Sequence, residues 1–231
     1  MGKVDLSIII PAYLEEENLR VLLLRLKKTL ANLTLKSEVL VIDTMEPMDN
    51  TKMVCEEFGA TYINRQKGNL YGDSVRTGII DAKGEWTIFM DADGSHSPEF
   101  IKELIKHKDS SDVVIASRYV KGGGSDNSKI LIIMSLIVNM VFSILFNLKC
   151  KDVSNSFKLY RTAALKELKL SSNNFEIIEE ILIKLKRNNK AIKIKEVPCF
   201  FKERMFGHTK RNLFAYVFSY LIILIKLKLM K

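Results

Sequence analysis

Short apolar runs separated by stretches of helical periodicity set the pattern of the first 120 residues. Residues 6–10 form a brief apolar strand halted by Pro11, and the acidic Glu15-Glu16-Glu17 opens a helix whose Leu19, Leu22, Leu23 and Leu26 recur at helical spacing. Acidic residues suit the positive end of the helix dipole. The pattern predicts a second strand over 38–42 that ends in Asp43, a loop with Pro47, Asp49 and Asn50, and a helix over 51–58. It goes on with a strand over 61–64, a helix over 73–82, a central strand over 86–90 and a helix over 98–108 with Pro98 in its first turn. A further strand over 112–116 is closed by Ser117-Arg118-Tyr119. Strands alternating with helices at such intervals imply βαβ units, an α/β class and a mostly parallel sheet. Pro11, Asp43, Asp91 and Ser117, each at a strand end, then fall along one rim.

The central run stops abruptly in Asp91-Ala92-Asp93-Gly94-Ser95-His96. Carboxylates at i and i+2 beyond a buried strand repel each other unless a cation lies between them, and a hard divalent ion with oxygen ligands meets that need. The carboxyl ends of strands are also where open α/β sheets bind ligands. Taken alone the motif reads more readily as a solvated turn, because Asp and Gly are common turn residues.

Composition narrows the partners. The 231 residues carry 36 Lys+Arg against 27 Asp+Glu, a formal net charge of +9 that points to nucleic acid, a bilayer surface or a phosphorylated substrate. Basic residues crowd 184–195 and 202–211, but nowhere do they alternate with aromatic ones as a base-stacking platform requires, so nucleic acid is not expected. Cys55, Cys150 and Cys199 show no Cys-x-x-Cys spacing and are expected as buried thiols. The N-terminus lacks the pattern of a secretory signal, so the folded part is expected to stay in the cytoplasm.

The segments Pro11-Ala12-Tyr13-Leu14-Glu15, Asp43 with Asp49, 72–78, 91–99, Ser117-Arg118-Tyr119, 152–157, 175–184 and 197–210 occur in an order that resembles the family 2 glycosyltransferases. The ordered set is what is specific, and it covers most of the chain. The resemblance implies a GT-A-type, Rossmann-like fold, a mostly parallel sheet flanked by helices, with membrane-interface helices toward the C-terminus. It implies that Pro11, Tyr13, Glu15, Asp43, Gly72, Asp91 and Lys210 hold the nucleotide, and that Mg2+ or Mn2+ sits on Asp91, Asp93 and Ser95. Within the family the match is to enzymes that charge polyprenyl or dolichyl phosphate. The implied partners are therefore a nucleotide sugar (a GDP- or UDP-hexose), a lipid phosphate and a membrane surface. The implied reaction is an inverting transfer through an oxocarbenium-like state. A lipid monophosphate is already largely dianionic at neutral pH, so positive charge matters more than a general base. Arg118, Lys129 and Ser135 are implied around the acceptor phosphate, and Asp93, Arg118 and Arg204 at the reaction centre, with the 204–210 loop closing over the diphosphate. The chain departs from the family pattern at Thr44, Leu70, Ser95 and Asn155-Ser156, where relatives tend to carry Asp, Gly, Gln and Ser-Gly.

Residues 130–148 carry no charge and lie near the lower length limit for a bilayer span. A single crossing would put Arg204 and Lys210 across the membrane from Asp91 and Asp93, so a helix or bent pair in the interface is expected. Residues 213–225, followed by Lys226, Lys228 and Lys231, are expected as an apolar-basic helix on anionic headgroups or packed on protein. The expected layout is a nucleotide-sugar-binding α/β part over 1–125, an interface helix region over 126–150, an acceptor-side part over 151–211 that completes the catalytic domain, and a C-terminal helix over 212–231. The expected place is the cytoplasmic face of the cell membrane, peripheral or interfacially anchored. Two other functions stay open: a cell-envelope polysaccharide glycosyltransferase acting on a sugar hydroxyl, and a non-catalytic membrane-bound protein that binds nucleotide sugar.

Overall fold

A computed structural model describes residues 3–206 and 223–229. In chain order the elements are β1 (Leu6–Pro11), α1 (Glu16–Ala31), β2 (Ser37–Asp43), α2 (Thr51–Phe58), β3 (Thr61–Asn64), α3 (Tyr71–Asp81), β4 (Trp86–Phe89), a 3-10 turn (Pro98–Phe100) and α4 (Ile101–Ile105). There follow β5 (Val113–Ser117), β6 (Gly124–Ser125), α5 (Lys129–Phe146), β7 (Lys158–Arg161), α6 (Thr162–Lys166), α7 (Ile177–Asn188), β8 (Ile194–Pro198) and β9 (Phe200–Phe201). Seven strands form one sheet in the order β3-β2-β1-β4-β7-β5-β8, and β6 pairs with β9 beside it. All neighbours in the large sheet are parallel except β7, which runs antiparallel to both β4 and β5.

Alternate side chains divide the core between the two faces of the sheet, as the pleat demands. Leu6, Ile8 and Ile10 of β1 face α1, α2 and α4, packing with Leu19, Leu22, Leu26, Val54 and Leu104. Ile9 faces the other way, into a cluster with Val75 and Ile79 of α3 and Ile178, Ile181 and Leu182 of α7. With helices on both faces no position along β1 meets water, which is why the strand reads as an unbroken apolar run. Asp49, part of the family pattern, caps two helices at once: Oδ2 accepts from the Glu16 amide at 3.1 Å and Oδ1 from the Thr51 amide at 3.0 Å.

One expectation changes. The helix over 98–108 is broken, because Pro98 starts a 3-10 turn and the amides of His107 and Lys108 return to the carbonyls of Leu104 and Ile105, the tighter i−3 spacing. Of the helix or bent pair expected for the apolar stretch, the structure has a single helix, α5. Among the described residues α5 is the helix long and apolar enough to cross a membrane, with 18 residues and a mean hydropathy of 2.4. Of its side chains only Asn139 and Phe142 are buried, and Ile130, Ile133, Ile137, Met140 and Ile144 are exposed. Residues 213–222 of the expected C-terminal helix lie outside the described residues. Residues 223–229 are helical, with Leu227 buried in the α7-side cluster and its carbonyl accepting from Arg187 Nη2 at 2.8 Å.

The common direction of β1, β2, β4, β5 and β8 brings their carboxyl ends to one rim. Running the other way, β7 delivers its first residue, Lys158, and the loop before it to that same rim.

Candidate active site

β4 ends at Phe89, and the chain turns over the rim through Asp91 and Asp93. Asp93 Oδ1 accepts from both the amide and the hydroxyl of Ser95, at 3.0 and 2.6 Å. Asp91 Oδ1 accepts from Ser156 Oγ at 3.0 Å. The Asp91 amide donates to His96 Nδ1 at 3.0 Å, so the ring's proton lies on Nε2, which is 3.8 Å from Asp91 Oδ2. His96 stacks on Phe157 at 4.7 Å and meets the edge of Phe201 at 5.5 Å, a wedge behind the carboxylates rather than a reactive group. Ser95 is buried and its hydroxyl donates to Asp93.

The segment before residue 207 folds over this turn. Met205 N donates to Asp93 O at 2.9 Å and Lys202 N to Ser95 O at 3.2 Å. Gly94, at φ +80°, lies against the Met205 side chain with no room for a Cβ. Arg204 is thereby held near Asp93, with Nη2 donating to Glu15 Oε1 at 2.8 Å. Burial raises the Glu15 pKa, opposed by Asn18 and Arg204 and reinforced by the nearby Asp93. Lys210 lies outside the described residues.

Beyond β1 and β2 the nucleotide-side candidates divide. Tyr13 follows Pro11 and is half exposed, an open face at the rim. Asp43 is buried, with Oδ2 accepting from Tyr62 Oη at 3.0 Å, and desolvation raises its pKa. The Thr44 loop is held closed by Thr44 Oγ1 donating to Glu46 O at 2.6 Å and Asn64 Nδ2 donating to Thr44 O at 2.7 Å. Gly72, expected beside the donor, gives room to the backbone of Ser172 and Asn173, and its amide donates to Asn173 O at 2.7 Å. Arg76 pairs with Asp73 at 2.8 Å and donates to Ser172 O, so it is tied to the chain rather than waiting for a phosphate. Arg65, with no sequence signal in Asn64-Arg65-Gln66-Lys67, proves buried; it donates to Ala12 O, to Asn69 O at 2.7 Å and to Leu70 O at 3.3 Å, binding three rim segments together.

On the other side of β4 the candidates form a network. Arg118 Nε and Nη2 grip Asp152 at 2.8 and 2.6 Å, Nη2 also donates to Ser154 Oγ at 3.1 Å, and the guanidinium lies 4.9 Å from the Tyr119 ring and 5.6 Å from the Phe201 ring. The expected phosphate ligand is thus already in a buried ion pair, and an entering phosphate must compete for its donors. Asn139 Nδ2 of α5 donates to Ser154 Oγ at 3.0 Å, to Ser135 O at 2.7 Å and to Ser135 Oγ at 3.2 Å, so Ser135 reaches Arg118 through two intermediaries. Lys129 stands exposed at the start of α5. Lys158 is fully buried and donates to Val153 O at 2.8 Å and to Asn155 O, clamping the loop. Burial pulls its pKa down to about 8 against the pull of Glu179 and Asp152. Glu180, the acidic position of the family pattern, pairs with Lys184 at 2.7 Å and accepts from the amides of Ser171 and Ser172, a structural task.

The donor set at the rim is two carboxylates, each with Oδ1 taken and Oδ2 without a hydrogen bond among the described residues. No group of three or more His, Cys, Asp or Glu forms a cage among those residues. Such a set fits a hard ion that completes its shell with water and diphosphate oxygens.

The fold is of GT-A type, and residues 7–169 match the model of Glycosyl transferase family 2: the chain belongs to that family. Among its relatives is the Dolichol-phosphate mannosyltransferase of Pyrococcus furiosus, 34% identical over 223 residues, which are 91% of this chain and 61% of that protein. The chain therefore spans less than two thirds of that relative's length. The Polyprenol monophosphomannose synthase of Mycolicibacterium smegmatis is 27% identical over 217 residues, 89% of this chain and 80% of that protein. In three dimensions the chain is similar to glucosyl-3-phosphoglycerate synthase of Mycobacterium tuberculosis, solved with Mn2+, UDP and glucosyl-3-phosphoglycerate, with a TM-score of 0.72 over 97% of this chain and 80% of that one at 14% identity.

Proposed function

We propose that this protein transfers a hexose, mannose in the first place, from a nucleoside diphosphate sugar to the phosphate of a polyprenyl or dolichyl lipid at the cytoplasmic membrane face. The observation that carries the acceptor is the chain of contacts from Arg118 through Ser154 to Asn139, which ties a rim cation to a helix whose outer side is apolar. A lipid with an anionic head asks for that pairing: contact of its isoprenoid chain along α5 and a phosphate at its inner edge. The names of the two relatives favour mannose and a polyprenyl phosphate.

In the reaction a lipid phosphate oxygen bonds to the anomeric carbon while the bond to the nucleoside diphosphate breaks, and the diphosphate leaves with the electron pair. The acceptor arrives largely dianionic, so no proton need be removed. Asp91 and Asp93 would hold Mg2+ or Mn2+, which when bound supplies charge for the departing diphosphate. Arg204, carried over Asp93 by the Met205–Asp93 backbone bond, adds a second cation, and Lys129 and Ser135 line the acceptor's approach.

The test is transfer of label from GDP- and UDP-hexoses into lipid extracts from vesicles containing polyprenyl phosphate. Label is expected in the lipid, lost in excess chelator, and reduced about 10²–10³-fold by Asp93→Ala with an unchanged melting temperature. Full transfer in chelator removes the metal, and transfer to sugar hydroxyls with none to lipid phosphate removes the acceptor.

A further inference from the structure

We propose that Ser156 and Ser95 are positioning residues for the divalent ion, each fixing one oxygen of a ligating carboxylate and leaving the other for the metal. The inference rests on Asp91 and Asp93 being the ion's ligands, as proposed above. The two hydroxyls come from opposite directions in the chain: Ser156 Oγ reaches Asp91 Oδ1 at 3.0 Å across 65 residues, and Ser95 Oγ reaches Asp93 Oδ1 at 2.6 Å from two residues away. A carboxylate turns easily about its last torsion, and a fixed donor on one oxygen removes that freedom. Both serines are buried, 7% and 1% exposed, so water does not compete for either bond.

Ser156 is itself well seated. Its neighbour Asn155 donates to Ala116 O at 2.6 Å and accepts from the Phe157 amide at 3.1 Å, and Lys158 holds the carbonyls of Val153 and Asn155. The Tyr71 phenol lies beside Ser156. Ser95 and Ser156 are also two of the positions where the chain departs from the family pattern of Gln and Gly. Ser156 has no positive φ, so the backbone has no need of glycine there, and the hydroxyl is what the departure adds. Groups that hydrogen-bond to a metal's ligands set its affinity, and losing one costs about 10–100-fold.

The experiment follows Mn2+ uptake by the loss of the free-ion electron paramagnetic resonance signal, with GDP or UDP present, in the full chain and in Ser156→Gly and Ser95→Ala. Each variant is expected to bind Mn2+ about tenfold or more weakly, with the melting temperature of the ion-free protein unchanged. In turnover the Mn2+ activation constant rises by the same factor while KM for the lipid stays put. Variants that take up Mn2+ as tightly as the parent overturn the proposal and leave the ligand assignment standing. No uptake by the parent with either nucleotide removes that assignment and the proposal with it. If Ser156→Gly lowers the melting temperature, the Ser95→Ala titration decides on the same two outcomes.

Discussion

Two buried guanidiniums flank Asp91 and Asp93, Arg65 beyond β3 and Arg118 beyond β5, and they are satisfied in opposite ways. Arg65 donates to main-chain carbonyls of Ala12, Asn69 and Leu70, and among the described residues it forms no salt bridge. Burial lowers its pKa, with Asp43 and Asp73 near enough to oppose the shift. Arg118 closes on Asp152, a carboxylate with no exposed surface, in a two-pronged ion pair. The rim beyond β3 is thus tied together through main-chain carbonyls, and among the described residues its cation is not cancelled by direct contact. Beyond β5 the guanidinium is held by a carboxylate, by Ser154 and by two aromatic rings, and its charge is matched at the source.

The contrast is most sharply tested at Asp152. Asp152→Ala removes the buried carboxylate that Arg118 grips, and a loss of about 3–5 kcal/mol in denaturant unfolding is expected. A loss below about 1 kcal/mol would put the pair in the class of exposed ones and dissolve the contrast. Arg65→Met should cost about 1–3 kcal/mol through carbonyls left unsatisfied, and should raise KM for the nucleotide sugar while KM for the lipid holds. Equal effects on both substrates would mean that Arg65 does not belong to the donor side alone. The smallest effect is at Asp43, whose pKa is raised above the ordinary 3.8 chiefly by burial. The folded state holds that proton more tightly than the unfolded chain, so this group's contribution is greatest in acid and is lost as pH rises through the folded value. Asp43→Asn keeps an acceptor for Tyr62 and is expected to melt slightly higher than the parent at neutral pH, with the gain vanishing below pH 3.8. A gain that ignores pH would show that Asp43 is not held against its charge.

The same divide marks what the sequence discloses. From β1 to β4 every element was legible to within about two residues, because each is built from local periodicity and closed by its own turn chemistry. The rim carboxylates Asp43, Asp91 and Asp93 announced themselves by standing where apolar runs stop. The acceptor side did not read this way. β7 is four residues with a buried lysine at its head, β8 sets Lys195-Glu196 between Ile194 and Val197 at the sheet's edge, and α7 hides the buried Glu179 and Glu180 inside its apolar face. Arg65 was invisible because its partners are carbonyls, which leave no trace in a sequence. Arg118 was found, but Asp152, 34 residues on, was not recognised as its counter-charge.

The reversed strand also fixes the order in which the molecule can assemble. β5 touches the rest of the sheet only through β7 and β8, so when residue 117 has been made this strand has no neighbour to pair with, and β4 presents a bare edge. The first half of a nascent chain therefore looks complete in its motifs yet cannot close its own sheet until residues 158–161 slide between two strands already laid down, a late and non-local step of the kind that slows folding.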